Sequence, residues 1–260
     1  MEKRSAPLWN DAWPVDLEQR LEGILAPAAA NAVEIFFRAD DIGAPDAGFR
    51  RLMHLFRRHR MPLCLAVVPA WIDRKRWRQM QEFTVHDPLW CWHQHGLCHA
   101  NHQESGRKSE FGSHRSCETI RSDLVRGREH LQAILGPAFF PVFTPPWNRC
   151  SLETLQILAR EGYAAVSRTV NARPAATSLI PDLAVAVDLH TRKEQDPALG
   201  WQNLLDELAC AADSGRIGIM IHHQLMNDRC FAFLDLFLAL CRGQAGLCPG
   251  TFRDLLSPVS

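Results

Sequence analysis

Four histidines fall close together, at His93, His95, His99 and His102. If the chain turns helical after His95, the last three stand at i, i+4 and i+7 on one face, a spacing that lets two imidazoles reach one metal ion. Two histidines and one carboxylate leave a catalytic zinc with an open position for water. Two other readings compete with this one. One is a solvated, His-rich loop. The other is a closed structural site recruiting Cys91 or Cys98, although a lone C-x6-C lacks the short thiolate spacing of such sites.

Three further groups could join this chemistry. Asp40 and Asp41 end the apolar run that begins at Glu34. In an extended segment neighbouring side chains face opposite ways, so one carboxylate can meet a cation and the other a water or substrate. The alternative is that one of them caps a turn before Gly43. His222 and His223 follow Ile217–Ile221, a run apolar enough to be a buried strand, and an imidazole at such a strand end suits proton transfer. Trp147 follows Pro145 and Pro146 and could form a rigid wall against a sugar face or simply pack in the core.

The elements that must carry these residues can be read from periodicity. Strand-like runs are expected at Val33–Phe37, Leu63–Val68, Leu89–His93, Phe140–Phe143, Ala164–Ser167, Leu183–Asp188 and Ile217–Ile221. Helical patterns lie between them, capped by Asp46, Ser116 and Ser151, with further helices at Asn203–Ala212 and Asp228–Arg242. Strands alternating with helices predict an α/β chain with a mainly parallel sheet, open or closed into a barrel. In such folds the working face lies at the carboxyl ends of the strands. Asp40-Asp41, the His93–His102 stretch, Pro145 to Asn148, Asp188 with His190, and His222-His223 all sit just past strand ends.

Composition sets the outer limits. The 260 residues are 47% hydrophobic and 22% charged, which excludes a disordered or fibrous chain. The 29 Lys and Arg balance 29 Asp and Glu, so no general attraction to nucleic acid or to an anionic membrane is expected. The basic stretch Arg74 to Arg78 reads as a solvated helix face. No apolar stretch approaches the roughly 20 residues of a membrane span, and the first residues lack the apolar core of a signal peptide. Nine cysteines without a Cys-x-x-Cys pair read as reduced thiols in a cytoplasmic protein. One domain is expected over residues 1–260, with 1–30 as an N-terminal helical extension. The segment from Asn101 to Arg115 reads as a long polar loop over the site, of the kind that serves as lid or substrate selector.

At these residues the sequence resembles the polysaccharide deacetylase family, metal-dependent carbohydrate esterases with chitooligosaccharide deacetylase homology. The first family motif, an apolar run ending in Asp-Asp-Gly, is matched by Phe37 to Gly43 with one residue inserted before the glycine. The second, His-Ser/Thr/Gly-x-x-His, is matched in full by His95-Gly96-Leu97-Cys98-His99. The third, Arg-Pro-Pro-Tyr, stands as Thr144-Pro145-Pro146-Trp147, and the fifth, an aliphatic strand ending in His, as Ile219 to His222. The motif order extends from about residue 33 to 223.

The resemblance implies a distorted (β/α)7 barrel. It implies Asp40 as general base, Asp41, His95 and His99 as metal ligands, and His222 as general acid. The metal expected is divalent, zinc first, with Co2+, Ni2+, Fe2+ and Mn2+ as alternatives. Arg38, Pro145, Trp147, Asn148, Asp188 and His223 are supporting or substrate-binding candidates. The sequence departs from the family at Thr144, where the third motif has the arginine that orients the base; Arg38 or Arg149 are the replacements available. The fourth motif is reduced to Asp188, a candidate to support the acid. The expected activity is removal of an acetyl group, N-acetyl ahead of O-acetyl, from an amino sugar or related saccharide. The alternatives are a catalytically silent carbohydrate-binding or partner-binding protein, and a non-acetyl amidohydrolase on the same fold.

Overall fold

Side-chain caps decide where the helices begin. Asp46 accepts the amide of Phe49 at 2.7 Å, Ser116 that of Thr119 at 3.1 Å and Ser151 that of Thr154 at 3.2 Å, each satisfying a donor that the first helical turn leaves free. All three caps are the ones expected from sequence. Asp196 and Asn227 do the same work, accepting from Ala198 and Cys230. The helix expected at Asn203 therefore begins earlier, at Pro197, whose missing N–H costs nothing in the first turn.

The computed structural model describes residues 5–82, 87–176 and 180–257. In chain order the elements are α1 (Leu17–Ala30), β1 (Glu34–Ile42), α2 (Ala47–His59), β2 (Leu63–Val67), α3 (Arg74–Gln81), β3 (Trp90–His95), α4 (Cys117–Leu135), β4 (Phe139–Thr144), α5 (Leu152–Arg160), β5 (Ala165–Val166), β6 (Val187–Asp188), α6 (Pro197–Asp213), β7 (Arg216–Ile221), α7 (Asp228–Gly243), β8 (Cys248–Pro249) and α8 (Phe252–Leu255). All seven strands expected from sequence are present, and the short β8 adds an eighth. The basic run Arg74 to Arg78 lies on α3, as the charge pattern suggests. No helix among the described residues is long and apolar enough to cross a membrane.

The chain forms two compact units. The first comprises Met1–Ala39, Asp46–Leu63 and Ala186–Thr251. In it β7 pairs in parallel with β1, from Glu34 opposite Arg216 to Ala39 opposite Ile221, and β6 pairs in parallel with β7. Strand β8 adds to the start of β1. Its core is aromatic: Phe37 meets Phe56 edge-on at 5.2 Å, and Trp9 packs on Trp201 and Phe233. Trp9 also donates its indole N–H to the Leu189 carbonyl at 2.7 Å, so the N-terminal segment is fastened beside β6. On α2, the stripe Phe49, Leu52, Met53 and Phe56 is fully buried, worth roughly 1.5–3 kcal/mol per side chain in transfer free energy.

The second unit comprises Asp40–Pro45, Cys64–Val185 and Phe252–Ser260. Within it β3 pairs in parallel with β4, and β4 with β5. Its core gathers Leu97, Phe111, Leu124, Phe143, Leu158 and Tyr163. Tyr163 donates its hydroxyl to the buried Gln94 at 2.7 Å, and Gln94 donates in turn to the carbonyl of Gly96 at 3.0 Å. A polar thread thus runs from the core to the end of β3, where the histidines begin.

Candidate metal centre and active site

In the second unit, β1 delivers Asp40 and Asp41 and β3 delivers His95, all three buried. The alternation expected of an extended strand fails at Asp41, whose φ of 61° turns the chain left-handed inside β1. His99, at φ 57°, is a second left-handed residue, and Trp147 and Asn148 follow at 56° and 59°. Such backbone costs a non-glycine residue about 1–3 kcal/mol and collects where geometry serves a site. Of the left-handed residues, Asp41, His99, Trp147 and Asn148 carry side chains that the sequence singles out, while Ala32, Arg60 and Asn171 lie outside the motifs.

The donor atoms converge. Asp41 Oδ1 lies 3.4 Å from His95 Nε2 and 3.2 Å from His99 Nε2, and the three ligand atoms all lie within 4.8 Å of one another. These separations exceed the roughly 2.7–2.9 Å of a charge-assisted hydrogen bond. They match donors sharing one tetrahedral ion, which at about 2.0–2.1 Å from the metal stand about 3.3–3.4 Å apart. The tautomer fits as well. His95 Nδ1 faces the main-chain carbonyl of Thr144 at 2.9 Å, and a carbonyl only accepts, so Nδ1 carries hydrogen and Nε2 is the nitrogen turned to Asp41. A ligating histidine is ordinarily oriented through its other nitrogen in this way.

Protonation tells the same story. Burial disfavours a charged His95, but the facing Asp41 carboxylate and the negative charge of Asp40 outweigh it and raise its pKa. His99 is pushed the other way, first by burial and then by the charge of His95. The negative charges of Asp40 and Asp41 thus favour a cation beside His95. An O, N, N donor set with His95 oriented through its other nitrogen fits a divalent ion.

The helical stacking of His95, His99 and His102 is not how the cluster forms. Gly96 has φ 60°, so the chain leaves β3 in a tight turn that brings His99 back beside His95. His102 is exposed and lies outside the cluster, its amide donating to the Ser109 carbonyl at 3.0 Å. No thiol joins the cluster either. Cys98 sits between His95 and His99, and burial followed by the charge of Glu110 pushes its thiol pKa up, away from the thiolate a metal requires.

Aromatic walls flank His99. His99 lies 4.6 Å from the ring of Trp147 and 5.6 Å from that of Trp71. Trp71 comes so close to Gly43 that a β-carbon there would stand 2.4 Å from its Cβ, which requires the glycine that the first motif retains. Pro145 accepts the Asn148 amide at 2.9 Å and closes the turn that presents Trp147. Trp71 is a site residue that the motifs do not mark; its position just past β2, by the same strand-end rule, is the available signal.

The segment from Asn101 to Arg115 is an irregular polar loop, exposed over most of its first half and anchored beyond it. The stretch from Ser109 to Gly112 is buried. Arg149 donates to the Lys108 carbonyl at 3.1 Å, Ser109 to the Arg149 carbonyl at 3.2 Å, and Ser151 to the Phe111 carbonyl at 2.8 Å. Arg149 thus fastens this segment, a use different from orienting the base.

In the first unit, Arg38 is fully buried on β1 and donates from Nη2 to Met220 Sδ at 3.1 Å. His222 and His223 follow β7. The His223 ring is buried, lies 6.1 Å from Phe49, and sets Nε2 3.7 Å from the Asp46 carboxylate. That contact and the Phe49 amide hold the Asp46 carboxyl below its usual range against the effect of burial. His222 remains half-buried. Support for it comes from His190, whose Nδ1 accepts the His222 amide at 3.1 Å. Asp188 does not give that support: its carboxylate accepts the amides of His190 and Thr191 at 3.0 and 2.9 Å and closes the turn after β6.

Scans against protein-family models and against curated proteins find no match. Solved structures do match. A protein from Mycobacterium smegmatis assigned to the polysaccharide deacetylases is 15% identical, with 98% of this chain and 94% of that one covered, at a TM-score of 0.63. Puue allantoinase is 13% identical over 95% of this chain and 97% of its own, at a TM-score of 0.61. A family 4 carbohydrate esterase from Streptomyces lividans, in complex with acetate, is 13% identical over 85% and 91%, at a TM-score of 0.50. The chain has the α/β fold of the polysaccharide deacetylases, a distorted (β/α)7 barrel, and the resemblance read from the motifs holds at the level of fold.

Proposed function

We propose that this protein is a metal-dependent hydrolase that removes an acetyl group, N-acetyl ahead of O-acetyl, from an amino sugar or related saccharide. The observation that carries the reading is the cluster of Asp41, His95 and His99, with the buried Asp40 preceding it on the same strand. Bound there, a divalent ion, zinc by its preference for two imidazoles and a carboxylate, supplies Lewis-acid charge and acidifies water. Asp40 receives the proton of the attacking water. Bond formation at the acetyl carbon and rupture of the C–N bond leave the amine nitrogen needing a proton, the part that the family resemblance gives to His222. The products are acetate and the free amine. Trp147 with Pro145 and Asn148 forms the wall against which the saccharide is oriented.

A second reading is a non-acetyl amidohydrolase using the same residues. The likeness to an allantoinase favours it, as does Thr144 in place of the deacetylase arginine. One experiment separates the two. Protein stripped with chelator and reloaded with zinc or cobalt is assayed for acetate release from a panel of N-acetylated amino sugars and for hydrolysis of ureides, allantoin included. Acetate release that chelation abolishes and metal restores is the expected result. Ureide hydrolysis alone selects the second reading, and metal and sugar bound without product would mark a silent binding protein.

A further inference from the structure

We infer that Glu110 is a positioning residue of the metal centre, holding the turn between His95 and His99 in the shape that brings the two imidazoles together. The inference rests on the metal reading above. Glu110 is 1% exposed, and its carboxylate accepts two consecutive main-chain amides of that turn, Leu97 on Oε2 at 3.2 Å and Cys98 on Oε1 at 2.7 Å. It also lies against the bare α-carbon of Gly96, where a β-carbon would stand 2.1 Å from Oε2. A buried carboxylate is costly unless hydrogen bonds satisfy it, and the donors that satisfy this one are the amides between the two ligands.

Other ties fix only the start of the turn. Gly96 donates to the Thr144 carbonyl at 3.2 Å, and the Leu97 carbonyl accepts from Ala70 at 2.9 Å. Beyond Leu97, the chain must reverse into the left-handed His99, and Glu110 is the group bonded there. Its own place is set from behind: Arg115 donates to the Glu110 carbonyl at 3.2 Å, and Phe111 pairs with Cys150. The anchored segment thus reaches the metal centre through a single carboxylate.

The test is Glu110→Gln. Glutamine keeps the size but offers one acceptor and one NH2 group, so one of the two amides loses its partner. Zinc affinity of the purified protein is measured by competition with a chromophoric chelator, and the absorption spectrum of the cobalt-loaded protein reports the ligand geometry. Expected are a loss of about 10–100-fold in affinity, the range for groups that orient metal ligands, and an altered cobalt spectrum in a protein that still unfolds cooperatively. Glu110→Asp keeps the charge with a shorter reach and should fall between wild type and Glu110→Gln, which preserves the test if the glutamine variant does not fold. Arg107→Ala, an exposed change in the same segment, should bind as wild type. Wild-type affinity and spectrum in Glu110→Gln would overturn the inference. Wild-type protein that binds no zinc, or binds it equally well after His95→Ala, would overturn the metal reading instead.

Discussion

The Nδ1 of His95 donates to the main-chain carbonyl of Thr144 at 2.9 Å, while the Thr144 hydroxyl lies 2.9 Å from Nε2 of the buried His93. One residue thus serves the site with its backbone and the core with its side chain. Thr144→Val keeps the carbonyl and removes the hydroxyl. We expect zinc affinity unchanged within a few-fold, with stability lowered by about 1–3 kcal/mol because a buried imidazole nitrogen loses this partner. Thr144→Arg, which restores the deacetylase motif, places a guanidinium at a fully buried position and should unfold the protein or lower its yield of soluble chain. Thermal melting and zinc titration check both; a Thr144→Val variant that loses zinc at full stability would refute the division of labour.

Asp40 is 2% exposed and stands next to Asp41, the proposed metal ligand. With the proposed base replaced, Asp40→Asn should bind zinc at wild-type stoichiometry and lose about 10²–10⁴-fold in turnover, the usual contribution of general base catalysis. Metal analysis and the acetate assay are run on the same preparation. Unchanged turnover would remove Asp40 from the mechanism.

The parts legible in the sequence were those governed by local rules. Asp46, Ser116 and Ser151 cap the helices they were expected to cap, because a side-chain oxygen and an amide three residues on need no tertiary context. Asp41, His95 and His99, which the motifs link, do lie together, yet the route that joins them is not a helical face. It needs left-handed backbone at Asp41 and His99, a conformation that tertiary packing imposes against residue preference. Glu110 was invisible for another reason. Its bonds reach back 12 and 13 residues through a segment with no periodicity, and a charged residue in such a stretch reads as solvated. His190 was likewise noted only as lying past a strand, since its tie to His222 spans 32 residues.

That tie has a pH dependence. His190 is buried, and burial, followed by the charges of His222 and His223, lowers its pKa well below 6.5. Its Nδ1 must stay unprotonated to accept the His222 amide. The unfolded chain takes up a proton near pH 6.5 that the folded chain refuses, so stability falls as pH drops below about 6.5, by up to about 1.4 kcal/mol per unit from this group. His190→Asn retains an acceptor without the titration. Its urea midpoint should therefore decline less than that of wild type between pH 7 and pH 5.5. Parallel declines would show that His190 is not responsible.

Gly96 separates backbone strain from contact with Glu110. At φ 60° an alanine costs about 1–2 kcal/mol in left-handed backbone alone. Its β-carbon would also stand 2.1 Å from Glu110 Oε2 and 2.6 Å from Pro146 Cγ, and overpacking of this kind typically adds about 1–3 kcal/mol. Gly106, at φ 80° with nothing within 4 Å of the place a β-carbon would take, is the matched control with strain and no contact. Gly96→Ala should thus lose about 2–5 kcal/mol and bind zinc more weakly, since the displaced carboxylate no longer holds the Leu97 and Cys98 amides. Gly106→Ala should lose about 1–2 kcal/mol and bind zinc as wild type. Urea unfolding and zinc titration of the two variants side by side decide the matter. Equal effects would mean that the turn between His95 and His99 tolerates movement of Glu110, and that the contact at Gly96 does not shape the metal centre.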